Sequence, residues 1–433
     1  METRPEHLSV LLLTALWLAA PAMAQAVAPG RDGPPAPPVE ELVAATLERS
    51  PSVAAARARL AAAREMIAPA GALPNPMVEI MLTDVAFPRY TVGTDEMSMI
   101  GPEVRQDIPY PGKRRAARDA ARADSEVRGA DLELLRRMLA AEVRTIYARV
   151  YALDRERQAL GAAAELLDML SATAASRYAA GAAEQEAVIK AQLEVSRVGE
   201  RLDDLGAERA ALVAALNRLL DRSGAEPLGT VSVLPAPSVP PQPWEVLAVA
   251  SSAEVAVRQA AVTAAERRVD TARLDAKPNL FAGTAVGLRG RYDPAVTLRF
   301  GAELPLWRAE RQRPMVRSSE LELEMARAEL RDAEATARSQ AARLAAEWGR
   351  AERQITRYAQ AILPQTSAAV DAARSSYLAG RGDFSTVIED FGSWLDARTA
   401  LASREADRFA VWAELQALLG EPGGADDSTG GVQ

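Results

Sequence analysis

Val296-Thr297-Leu298-Arg299-Phe300-Gly301-Ala302-Glu303-Leu304 alternates apolar and polar residues without a break. Side chains of an extended chain point to opposite faces in turn, so this stretch predicts a strand with one face in an apolar medium. Arg299 and Glu303 fall on the other face, which argues for a wet lumen rather than a second packed sheet. Leu280 to Gly290, rich in Gly and Ala, precedes it across the turn Arg291-Tyr292-Asp293-Pro294 and supplies a partner strand. Earlier in the chain, Pro76 to Ala86 and Met97 to Ile108 predict a longer, less regular hairpin. Each run has roughly the 9–11 residues of a tilted membrane strand.

The flanks fit a bilayer. Tyr110 and Trp307 lie at one end of the strands, and Phe87, Tyr90 and Tyr292 at the other, where aromatic girdles sit. Lys113, Arg114 and Arg115 follow in one half, and Arg308, Arg311 and Arg313 in the other, placed to meet anionic head groups. Any single base reads equally well as the solvated start of a helix; two matched clusters favour the membrane. Four strands cannot close a barrel, which needs about eight, and open edges are not tolerated in lipid. The barrel is therefore expected to be shared between protomers.

Working outward, the chain is written twice. Ser52-Val53-Ala54-Ala55-Ala56-Arg57 introduces a helix that ends before Leu73-Pro74-Asn75-Pro76, and Glu254-Val255-Ala256-Val257-Arg258 one that ends before Lys277-Pro278-Asn279-Leu280. Each Pro-Asn leads into a hairpin, closed at Ile108-Pro109-Tyr110-Pro111 or Leu304-Pro305-Leu306-Trp307. A very long helical pattern follows, reaching Tyr178-Ala179-Ala180-Gly181 or Tyr377-Leu378-Ala379-Gly380, and a return helix then carries Val188-Ile189 or Val387-Ile388. The expected divisions are a signal segment 1–24, a Pro/Gly-rich segment 25–38, a first repeat 39–222 with strands about 76–109, a Pro-rich linker 223–243, a second repeat 244–420 with strands about 280–304, and a disordered tail 421–433.

From Arg114 to about Tyr178 there is no proline, and Leu132, Leu135, Leu139, Val143, Ile146, Val150 and Leu153 step by threes and fours, a coiled-coil seam. At 1.5 Å per residue this helix is on the order of 100 Å long. Glu184 to Leu220 and then Ser252 to Ala276 are expected to make up the return column, end to end. In the second half Met315 to Tyr377 runs out, Phe384 to Leu419 runs back, and Glu40 to Ala72 is expected to continue it.

Composition limits the chemistry. The chain has 433 residues, no cysteine and a single histidine, His7, inside the expected signal segment. The mature chain thus lacks the best ligands for zinc or copper, and catalytic Ser/His/Asp or Cys/His arrangements are excluded. No metal site, cofactor or enzyme activity is expected. Leu8 to Ala20 is too short to span a bilayer, Ala22-Met23-Ala24 supplies a small-x-small cleavage site, and no later stretch approaches the ~20 apolar residues of a membrane helix. A net charge of −8 with dispersed bases leaves no footprint for nucleic acid. Aromatics are 5% of residues while alanine is abundant, which suits close-packed helices.

The duplicated plan, the paired hairpins, and Arg177-Tyr178-Ala179-Ala180-Gly181 with Ser376-Tyr377-Leu378-Ala379-Gly380 at the helix turns resemble the TolC family of outer-membrane efflux proteins. Pro74-Asn75-Pro76 and Ile108-Pro109-Tyr110-Pro111-Gly112-Lys113-Arg114 most resemble its CzcC-like branch, associated with heavy-metal cation efflux. The resemblance implies a mainly α chain with a small membrane β part, a homotrimer sharing one β-barrel on a long α-helical coiled-coil barrel, set in the outer membrane of a Gram-negative bacterium and reaching into the periplasm. It implies docking to a periplasmic adaptor and an inner-membrane RND pump, with Arg177, Tyr178, Gly181, Tyr377 and Gly380 as adaptor contacts. Tyr110, Trp307, Lys113, Arg114 and Arg308 are the membrane-interface anchors. By position, Glu389 and Thr386 fall on sites that ring the pore constriction in the family, with Asp390 adjacent and Asp383 nearer the turn; the first half offers only Ala187 and Lys190. Helical acids of this kind are about as often a solvated face. Ducts for drug efflux or one-step protein secretion share the same plan. A periplasmic adaptor would carry one hairpin between compact β domains, and a structural coiled coil would leave Val296 to Leu304 unexplained.

Overall fold

The structure is a computed structural model describing residues 34–181 and 184–420. The signal segment 1–24, residues 25–33 and the tail 421–433 lie outside the described residues. Helix α1 (Val39–Arg49) leads to α2 (Pro51–Glu65) and the single turn α3 (Ile67–Ala70), followed by strands β1 (Met77–Thr83) and β2 (Met99–Ile108). Helices α4 (Lys113–Ala179) and α5 (Gln185–Leu219) complete the first repeat. The second runs α6 (Trp244–Ser251), α7 (Ala253–Asp275), β3 (Asn279–Arg289), β4 (Tyr292–Glu303), α8 (Arg313–Arg357), α9 (Leu363–Leu378) and α10 (Phe384–Leu419).

Several expected helices are broken, each for a local reason. Glu40 to Ala72 is three pieces, because Pro51 drives Ser50 into extended backbone with ψ 125°. The equivalent residue of the second repeat, Ser252 with ψ 127°, separates α7 from the unforeseen α6, and its hydroxyl accepts from Val255 N–H. The repeat therefore includes one more helix than the sequence pattern reveals. Met315 to Tyr377 is interrupted by a π turn at Tyr358–Ile362, and another, Arg308–Gln312, leads into α8. Each stands two residues before a proline, Pro314 or Pro364, and an extra residue per turn relieves the clash of a ring that has no N–H to donate.

The four strands form one antiparallel sheet in the order β1-β2-β3-β4. Register is in phase across the sheet up to Gly287: Val78 faces Val104, Val104 faces Thr284, and Thr284 faces Leu298, with a shift between Gly287 and Arg289 at the second hairpin. Even-numbered residues thus share one face below that shift. On it Ile80, Leu298 and Phe300 are 73%, 66% and 78% exposed. The second hairpin turns at Gly290-Arg291, one residue earlier than expected, since Gly290 takes φ 65° and Arg289 pairs with Tyr292. Pro294 consequently lies inside β4, tolerable because the far edge of β4 has no partner among the described residues.

Helix α4, 67 residues and about 100 Å long, is the spine. Gly112 starts it at φ 97°. One side of its lower part packs α5, through Arg209 to Asp154, Arg201 to Glu156 and Arg218 to Glu142. Its upper part meets α2 and α3 on one side and α7 on another, where Arg268 reaches Asp124. Helices α7 and α10 both pack on α8, α7 through Arg258–Glu329 and Arg273–Glu320, α10 through Arg343–Glu414 and Arg408–Glu352. The end of α10 and the start of α7 meet at Arg137, which donates to Ser251 O at 2.8 Å and lies against Gly420. The expected stacking is therefore reversed: α10 is continued by α7, and α5 by α1 and α2, whose Val39, Leu42 and Val53 share a core with Leu216 and Leu219.

The linker explains the crossing. It leaves α5, is pinned where buried Asp154 accepts from Arg209 and from Val231 N–H, and passes α10, where Ser238 O accepts from Trp412. It then delivers α6 onto α8 and α10 through Trp244 and Ala248. The chain has crossed a whole column before α7 begins.

Candidate functional site

The odd-numbered face of the sheet is polar and internally paired. Arg299 on β4 reaches across β3 to both oxygens of Glu103 on β2, at 2.8 Å each. The bridge passes over Gly283 and Ala285, residues small enough to lie beneath it. Glu103 is only 7% exposed. Arg105 pairs with Asp107 at 3.1 Å and lies 4.2 Å over the Phe281 ring. Arg299 was legible in the alternation; Glu103 was missed because the first hairpin alternates less regularly.

Below the strands, the predicted anchors separate. Trp307 is 68% exposed beside exposed Leu304, Leu306 and Arg308. Tyr110 is half-buried. Lys113 is not held out to solvent: its ammonium donates to Lys277 O at 2.9 Å and Asn279 Oδ1 at 2.8 Å, tying the start of α4 to the start of β3. Arg114 Nε likewise donates to Gly71 O at 2.9 Å, holding the end of α3. Both bases are spent on joints inside the protomer, because the two Pro-Asn lead-ins present unpaired carbonyls there.

At the opposite end the two helix hairpins meet. Gly181 at φ 70° and Gly380 at φ 77° reverse the chain. Arg177 donates to Tyr377 O at 3.0 Å and lies 4.9 Å over its ring. Tyr377 packs edge-on to Phe384 at 5.6 Å and is 4% exposed, so its side chain is interior rather than outward-facing; its hydroxyl has no hydrogen-bond partner. Tyr178 is 48% exposed. Past the turn, Asp383 caps α10, accepting from Ser385 N–H and hydroxyl. Those hydrogen bonds, with Lys190 nearby, hold its carboxyl below the usual value. Phe384, Val387 and Phe391 face the core, which puts Thr386 and Glu389 on the exposed side and Asp390 half-buried between. Neither Glu389 nor Asp390 forms an ion pair among the described residues. In the first hairpin Lys190 pairs with Glu186 at 2.7 Å, so the acidic excess belongs to the second.

No three His, Cys, Asp or Glu side chains converge as metal ligands among the described residues. No single described helix is long and apolar enough to cross a membrane.

Residues 42–222 match the outer membrane efflux protein family. The match spans the first repeat, and the second repeats its fold. No curated protein matches at the level of sequence. Among solved structures, the outer membrane protein VceC from Vibrio cholerae superposes with a TM-score of 0.74 at 20% identity, over 88% of this chain and 96% of that one. CusC, described for the conformational changes of folding and transmembrane channel formation, gives 0.76 at 15% identity over 89% and 92%. The open state of the Neisseria gonorrhoeae MtrE outer membrane channel gives 0.69 at 16% identity over 90% of each chain. The chain has the TolC-like fold of these channels over 88–90% of its length.

Proposed function

We propose that the protein is an outer-membrane duct: a homotrimer whose three sheets close one barrel and whose helices form a periplasmic tube that a pump loads from below. One observation carries this reading. Up to the shift at Gly287, one register sets an apolar face and a charged face across four strands, and both edge strands, β1 and β4, lack further partners among the described residues. In lipid such edges demand other copies of the sheet, and three make a barrel of about twelve strands. Trp307, Tyr110 and Arg308 then sit at the inner interface. Tyr178, Gly181 and Gly380 form the tip offered to a periplasmic adaptor and an inner-membrane RND pump.

The cargo in this reading is heavy-metal cations, supported by the CzcC-like motifs and by the unpaired acids beyond the second turn. Three copies of Glu389 brought towards one axis, with Thr386 and Asp390 beside them, attract cations without chelating them. The duct performs no chemistry. Outer-membrane fractionation, a heat-modifiable trimer on gels and conductance in planar bilayers are the expected results. A soluble periplasmic product would overturn the reading. Divalent cations should block the channel, and Glu389→Gln should relieve the block; unchanged block removes Glu389 from the constriction.

A further inference from the structure

At the joint where α10 ends and α7 begins, a cavity of about 1020 Å³ opens between α4 and α8. Its position relative to the linker follows from helical geometry. Trp412 of α10 holds the linker at Ser238, whereas Glu414 and Ala417 line the cavity, about half a turn round the helix. Linker and cavity therefore occupy opposite faces of the wall. In the duct proposed above, on which this orientation rests, three linkers with their α6 helices wrap the outside, and the cavity faces the lumen.

The lining has a definite chemistry. Leu134, Met138 and Leu418 contribute an apolar surface. Around it stand the carboxylates Glu142, Glu254, Glu329, Asp332 and Glu414, against the guanidiniums of Arg137, Arg258 and Arg343. The cations are engaged: Arg258 with Glu254 and Glu329, Arg343 with Glu414, Arg137 with Glu133 and Ser251 O. Asp332 forms no ion pair among the described residues. The charge left over is negative and sits beside apolar surface. The volume matches the upper range of small-molecule sites. A bare divalent ion finds no converging ligands here.

We propose that this cavity binds an organic cation with an apolar body, one per protomer, with Asp332 as the counter-charge. Tetraphenylphosphonium is the probe, measured by calorimetry on the full-length protein in detergent. Wild type should bind it and should ignore the isosteric anion tetraphenylborate. Asp332→Lys should weaken binding by about tenfold or more, and Ala328→Trp, at an exposed lining position, should obstruct it. Glu322→Lys, the same charge change on α8 outside the cavity, should leave it unchanged. Equal binding of cation and anion, or wild-type affinity in Asp332→Lys, overturns the proposal. Should Ala328→Trp not fold, Asp332→Lys still decides. Conductance separates the two readings: a conducting channel without tetraphenylphosphonium binding removes the cavity alone, and binding without conductance removes the duct.

Discussion

Replacing Arg177 by alanine should loosen the tip of the tube, and the structure sets the size of the effect. The guanidinium crosses from the first hairpin to the second, donating to Tyr377 O at 3.0 Å and stacking 4.9 Å over the ring. A hydrogen bond from a charged donor contributes about 1.5–3 kcal/mol, and a cation over an aromatic face about 0.5–1 kcal/mol at a partly exposed site. Arg177→Ala thus removes roughly 2–4 kcal/mol that holds the hairpins together. If that contact exists only in the closed arrangement, the closed population falls by tens to several hundred fold, about tenfold per 1.4 kcal/mol. Single-channel recording in planar bilayers should show longer and more frequent openings. Arg177→Lys keeps the charge but not the planar fork and should fall between. Tyr377→Phe removes only a hydroxyl that has no partner and should behave as wild type. Traces of Arg177→Ala indistinguishable from wild type would refute the reasoning.

Asp154→Ala strips the counter-charge from Arg209 and the acceptor from Val231 N–H; a loss of about 3–5 kcal/mol is expected, with new protease cleavage between residues 224 and 243. At Gly101 a Cβ would fall 1.7 Å from Val286 O, so Gly101→Ala should prevent β2 from pairing with β3 and abolish the heat-modifiable band on gels. The Asp383 cap has a pH signature. Because hydrogen bonds lower its folded pKa below the ordinary 3.8, its contribution is complete above that value and is lost as the pH falls through the lowered one. Hydrogen exchange at the start of α10, corrected for intrinsic rates, should show this acid loosening in wild type and not in Asp383→Asn.

Much of the architecture was legible because its causes are local. Strand alternation depends on a period of two, and α10 has the bounds Phe384 and Leu419 that its place after the turn led us to expect. Mismatches fell where a neighbour in the chain intervened in a way periodicity does not register. Prolines 314 and 364 inserted π turns, Pro51 split a helix, and Gly290 moved a hairpin turn by one residue. The candidate site was read less completely. Arg177 and Tyr178 were named from turn motifs and Glu389 from its position in the resemblance, whereas the burial of Tyr377 beneath Arg177 depends on a residue 200 positions away.

The sequence by itself determined the two repeats, the strand faces and the length of the spine, and its four strands, too few for a barrel, are the ground for the proposed further copies. Tertiary structure alone decided which helix continues which. The linker crosses α10 before α7 begins, and the columns join within each repeat, α5 with α1 and α2 and α10 with α7, rather than across the repeats. It also tied Lys113 and Arg114 to acceptors of neighbouring segments and opened the cavity at the α10–α7 joint. These features arise where residues from 43 to well over a hundred positions apart compete for the same hydrogen-bond acceptors and the same space. Such competition leaves no periodicity in the chain to read.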